Sequence, residues 1–313
     1  MRYRAGIISL LLASFLCAAP AIAQIPPEDL QKIDQAIPSR PVEKPDQPRR
    51  LLVFTRSEGF KHDAIPYAGK MLEIMGKKTG AFEVVQGDDM GLFKPESLSG
   101  FDAVCFDNTT QLKFEDASLR KALMDFVKGG KGVIGIHAAT DNFYNWPEAA
   151  EMMGGTFDGH PWTSDGTWKV AIEDPDHPLM ASFKGQGFSI RDEIYRTKQS
   201  NLRKNHRVLM GLDMKDEHNR GAAGVRNSDK DIPISWIGTL GKGRIFYCSL
   251  GHNKEVYWNP AVVSHYLAGI QYALGDLEAD ATPVPFNSGA FFDQRLLDSL
   301  LKDVSSYTYG QSR

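Results

Sequence analysis

Four apolar runs of strand length, alternating with segments of helical period, are the strongest constraint on this chain. LLVFT (51–55), FEVVQGDD (82–89), FDAVCFDNTT (101–110) and GVIGIHAAT (132–140) read as strands. AIPYAGKMLEIMGKKTG (64–80) and EDASLRKALMDFVKGGKG (115–132) carry apolar residues at helical spacing and end in Lys and Gly. Strands apolar at consecutive positions must be covered on both faces, and strand–helix alternation builds parallel pairs. The expected fold is therefore α/β with a mostly parallel central sheet. Between about 154 and 230 the rhythm breaks into Gly-, Asp- and His-rich sequence with short strands TWKVAIED, GFSIRDEIYR and RVLMGLDM. It resumes with DIPISWIGTLGKGRIFYCSLGHN, a hairpin with Gly at its turn, and a closing helix PAVVSHYLAGIQYALGD.

The flanks read differently. Arg2 and Arg4, a short apolar run and AIA before Gln24 predict a secretory signal peptide (1–23) cleaved after Ala23, and hence a periplasmic or secreted protein with no stable membrane span. Cleavage leaves 290 residues and moves the net charge from −3 to −5. No basic patch suits nucleic acid, so no nucleic-acid partner is expected. Residues 24–48, rich in Pro and charge, read as an extended arm with one short helical turn, 49–276 as one domain, and 277–313 as a tail with one amphipathic piece, FDQRLLDSLLKDV. Cys105 and Cys248 sit in apolar strands and read as buried thiols.

In open α/β sheets ligands bind beyond the carboxyl ends of strands. The polar residues there are His62 and Asp63 after the first strand, Asn108 and Thr109 after FDAVCFD, His137, Asp141 and Trp146 after GVIGI, and His252 and Asn253 after IFYCSL. His160 in DGHPW is a fourth histidine near this edge. Asp192 and Glu193 adjoin in an extended piece and must point to opposite faces; Glu193 is taken as the one facing the cleft, beside Tyr195. Asp63 also reads as a helix cap, and His177, His206, His218 and His265 as turn, loop or helix residues. Converging imidazoles with a carboxylate suit a transition metal or acid–base chemistry near neutral pH. Aromatic residues near these turns, Trp146 and Tyr195 among them, suit either a sugar ring or the cap of a core.

The ordered segments GFKHDAIP, VCFDNTT, GVIGIHAATDNFYNWP, GGTFDGHP, VAIEDPDHPL, DEIYR and GRIFYCSLGHN resemble the ThuA-like (trehalose-utilisation) family over about residues 50–275. The resemblance implies a flavodoxin-like three-layer sandwich of the class I glutamine amidotransferase-like superfamily. It places His137 at the elbow where amidotransferases carry their nucleophilic cysteine, so glutaminase chemistry is not expected. It also implies an enzyme acting on disaccharides or 3-keto glycosides by metal- or His-assisted elimination, hydrolysis or isomerisation. The alternatives are a non-catalytic carbohydrate-binding or accessory protein on the inherited fold, and a hydrolase using a His-activated water. On the first reading His62, His137 and His252 hold a divalent metal (Zn or Mn), and Glu193 is a ligand or base. Asp141, His160, Trp146, Tyr195 and Asn253 contact the substrate. No nucleotide cofactor is expected; the partner is a small carbohydrate, and a homo-oligomer is left open.

Overall fold

A computed structural model describes residues 25–198 and 201–286. The signal peptide and its cleavage site, and the amphipathic piece of the tail, lie outside the described residues. The elements run α1 (Pro27–Ala36), β1 (Arg50–Phe54), α2 (Ile65–Thr79), β2 (Glu83–Gly87), α3 (Pro95–Leu98), β3 (Ala103–Asp107), α4 (Ala117–Lys128) and β4 (Gly132–Ile136). They continue with α5 (Pro147–Met153), β5 (Thr156–Phe157), β6 (Thr167–Ile172), β7 (Phe188–Arg191), β8 (Thr197–Lys198), α6 (Leu202–Asn205), β9 (His206–Leu212), α7 (Glu217–Arg220), β10 (Pro233–Leu240), β11 (Gly243–Cys248) and α8 (Pro260–Leu274).

Nine strands form one sheet in the order β2-β1-β3-β4-β11-β10-β9-β6-β7. The five from β2 to β11 are mutually parallel. The irregular middle of the sequence supplies antiparallel β9, β6 and β7, which extend the sheet beyond the β10–β11 hairpin. Strand side chains alternate between faces. Leu51, Val53, Cys105, Ile134 and Phe246 pack with Met71 and Leu72 of α2 and Val263 and Leu267 of α8. Leu52, Phe54, Val104, Val133 and Tyr247 face Leu119 and Leu123 of α4 and Met152 of α5. These are the three expected layers. Among the described residues, Cys105 on β3 and Cys248 on β11 are free and buried.

The N-terminal arm departs from the extended reading. Its ten-residue helix α1 buries Asp29, Ile33 and Ala36, one face at helical spacing, and Ile33 has no exposed surface. The arm is then pinned to α8, where Gln271 accepts the Val42 amide at 2.7 Å and donates to the Glu43 carbonyl at 2.6 Å. Asp63 makes no cap bond, because α2 begins at Ile65 behind Ala64.

Candidate metal centre

The chain leaves β1 toward β2 on one side and returns to β3 on the other, so the end of β1 lies at the switch of strand order where ligands collect. His62 follows β1, His137 follows β4, Glu193 follows β7 and His252 follows β11. The sheet brings these four together: each offers one ligand atom, and all four atoms lie within 4.8 Å of one another. The three imidazoles stand edge-on in a triangle, with ring centroids 5.0 Å (His62–His137), 5.1 Å (His62–His252) and 5.3 Å (His137–His252) apart.

Local structure fixes each ring. His137 has a φ of 45°, the left-handed region that a bulky residue rarely adopts, and it opens the short 3-10 turn His137–Thr140. Such strain persists only where the surroundings over-determine it. Here the Tyr247 hydroxyl donates to the His137 carbonyl at 2.6 Å. The Ser249 carbonyl lies 2.7 Å from His137 Nδ1, so Nδ1 carries the proton and Nε2 is left bare toward the cluster. Gly251 is required beside it: a Cβ there would meet the Tyr257 hydroxyl at 2.6 Å and His137 Cβ at 3.4 Å.

Adjacent Asp192 and Glu193 diverge as strand geometry demands. Asp192 is fully buried and accepts the Gly251 and Asn253 amides, each at 2.7 Å, so it grips the loop that bears His252. Glu193 turns to the histidines, with Oε1 3.6 Å from His137 Nε2 and 3.3 Å from His252 Nδ1, and Oε2 3.0 Å from His160 Nδ1.

The electrostatics suit a cation. Burial, reinforced by the neighbouring His137 and His252, pulls His62 down to about 3, so it is a neutral ligand at ordinary pH. Burial alone would raise Glu193, but the close approach of His137 and His252 outweighs it and holds the carboxyl well below its usual range. His252 is raised: Glu193 overcomes the opposing effect of burial. Burial lifts Asp192 to about 6 against the pull of His137 and the two amides. His62 Nδ1, His137 Nε2 and His252 Nδ1 are buried without an aligned hydrogen-bond partner. Orphaned imidazole nitrogens around a carboxylate match the donor set of Zn and its neighbours. The cluster can therefore hold a metal ion.

The substrate residues expected from sequence divide. His160 reaches the cluster through Glu193 and is half-exposed. Tyr195 packs on His137 with centroids 4.4 Å apart. Asp141 accepts a hydrogen bond from the Tyr144 hydroxyl, and its carboxyl, raised by burial, feels the charge of His137. Trp146 does not reach the site. It is buried between Phe114 (5.5 Å) and Phe143 (5.7 Å), in the layer under α4 and α5. Asn253 spends its side-chain amide on the Ser164 and Arg191 carbonyls, at 2.7 and 3.1 Å, and so ties loops together. Sequence reasoning missed Phe60. Its ring is 64% exposed and stands 4.8 Å from His62, and with Tyr144 (49%) it supplies the exposed large aromatics among the described residues. Only a solvent-facing ring flanking a strand-end histidine would have signalled it, and GFKHD alone does not fix that exposure. A cavity of about 620 Å³ beside β9, walled by Leu212, Val225, Ile232 and Phe286, contains none of the cluster residues.

A family model described as ThuA, trehalose utilisation, matches residues 50–273. The chain belongs to the ThuA family. The fold of this ThuA chain is similar to that of a ThuA-like protein from Bacteroides uniformis, at 19% identity, over 74% of this chain and 93% of that one, with a TM-score of 0.60. It is also similar to a ThuA-like protein from Parabacteroides merdae, at 17% identity, over 77% and 98%, with a TM-score of 0.55. These likenesses show that the chain shares the fold of those ThuA-like proteins. Among curated proteins there is no match. No helix among the described residues is long and apolar enough to cross a membrane.

Proposed function

We propose that this ThuA protein is an enzyme that cleaves or isomerises oxidised (3-keto) glycosides at a divalent-metal centre held by His62, His137, His252 and Glu193. The observation that carries the reading is the meeting of three bare imidazole nitrogens and a carboxylate at the strand ends, where this fold offers no thiol or hydroxyl at the elbow. Cys105 and Cys248 are buried in strands, and burial pushes Cys248 up to about 12, so neither is a nucleophile. The family's description, trehalose utilisation, supports a carbohydrate substrate.

When bound, the metal supplies Lewis acidity toward a carbonyl oxygen. The chain supplies the proton transfers. A 3-keto group acidifies the hydrogen on the adjacent C2. His160, half-exposed with Nδ1 3.0 Å from Glu193 Oε2, is the proposed base for that proton. The electron pair becomes the C1–C2 double bond as the C1–O bond breaks, and the departing oxygen takes the proton from the protonated His160 and leaves as the alcohol. Tyr195 and Asp141 close the inner wall. Phe60 and Tyr144 offer apolar faces to the sugar at the mouth.

The test is turnover of 3-keto disaccharides by mature protein purified without a His-tag. Activity that is lost to a chelator and restored by Zn or Mn is expected. Full activity in metal-free protein sinks the metal reading and leaves a His-activated water, reported by the pH profile. Phe60→Ala and Tyr144→Ala are each expected to raise KM about 3- to 10-fold with kcat nearly unchanged, the worth of one stacking contact. A loss confined to kcat would remove these rings from substrate binding.

A further inference from the structure

Helix α1 bears on the centre through one carboxylate. Asp29, buried on its first turn, takes Lys254 Nζ at 2.8 Å, Lys32 Nζ at 3.0 Å and the Tyr67 hydroxyl at 3.3 Å. Lys254 stands two residues after His252 in sequence, and Tyr67 lies in the first turn of α2, just beyond His62. The carboxylate thus joins the two segments that carry two of the three imidazoles. The joint is reinforced. Lys254 Nζ lies 5.3 Å from the Tyr67 ring and 5.8 Å from the Trp258 ring, and Lys32 Nζ lies 5.0 Å from Trp258. A ten-residue helix is marginal alone, so its position is set by this docking and by the burial of Ile33. The helix lies outside the residues matched by the family model and is an addition to the matched domain.

We propose that α1 is a positioning brace for the candidate metal centre, with Asp29 fixing the spacing of His62 and His252. The inference rests on the metal reading for one of its readouts and stands without it for the other. The charge on Asp29 holds Lys254, and the helix body anchors that charge to the core. Metal ligands whose supporting partners are lost typically bind about 10- to 100-fold more weakly. A brace acting through one half-exposed lysine is expected to cost less, about 3- to 10-fold.

The test is Asp29→Asn in the mature chain, which keeps the shape and removes the charge. The imidazole nitrogen resonances of His62 and His252 are expected to shift in NMR spectra of the metal-free protein, while those of buried His206 and His265 stay in place. Zn2+ affinity is expected to fall as stated, and the absorption spectrum of the Co2+ form to change. Lys254→Met is expected to reproduce the shifts if Asp29→Asn folds poorly. A variant with a lower melting temperature but unmoved His62 and His252 resonances and an unchanged Co2+ spectrum overturns the brace. If the unsubstituted protein binds neither ion, the metal reading fails, and the imidazole resonances alone decide the brace.

Discussion

On the proposed metal reading, His137→Ala is expected to empty the centre, taking bound Zn from about one per chain to near zero. A structural Zn site is worth on the order of 10–16 kcal/mol, so losing one of four ligands costs about 3–4 kcal/mol, or roughly 10²–10³ in affinity. The loss should fall in the upper part of that range. His137 is fully buried and its tautomer is locked by Ser249. His252→Ala, at a half-buried loop position, is the companion variant, because it removes a ligand without opening a space inside the layers. Elemental analysis beside thermal unfolding checks the result. Undiminished metal in both variants, each folded, would remove these histidines from any metal site.

Asp107→Asn is expected to stabilise the protein by a few kcal/mol at pH 8.5, with a gain that shrinks toward pH 5. Asp107 ends β3 with no exposed surface; Oδ1 takes the Asn108 side-chain amide at 2.9 Å and Oδ2 has no hydrogen-bond partner. Burial lifts it to about 8, only partly offset by Asn108. In the unfolded chain an aspartate titrates near ~3.9. Between these values the folded state holds the extra proton. The stability tied to it is complete below the lower value and is lost as pH rises through the higher one, up to a ceiling of about 5 kcal/mol. The buried histidines act in the opposite sense. His62 is held at about 3 and His265 at about 4, below the ordinary value near ~6.5, so their contribution is lost as pH falls from there. Urea unfolding from pH 5 to 9 compares the two proteins. Parallel pH profiles would show that Asp107 does not carry the alkaline loss.

The parallel half of the sheet was legible because β1, β3, β4 and β11 carry continuous apolar runs, and the separation of Glu193 from Asp192 because adjacent strand residues must diverge. Helix α1 was not. Its prolines and charges mask a face of only Asp29, Ile33 and Ala36, which becomes a helix by docking rather than by propensity. Trp146 shares its sequence neighbourhood with His137, but Phe114, more than thirty residues earlier, closes over it, and nothing local signals that. Asn253 was read from its position beside His252, while its partners Ser164 and Arg191 come from the irregular middle, whose path only the antiparallel extension of the sheet defines. The exposure of Phe60 is likewise a property of the assembled surface.

The four candidate ligands run from position 62 to position 252, each from a different strand end. No half-made chain contains the centre. The parallel strands, with their long crossovers, must close over great sequence separations before any two of these imidazoles meet, and such closure is slow. A nascent chain would therefore present isolated histidines with little hold on an ion. On the proposed metal reading, capture of the ion is a late event that follows completion of the fold.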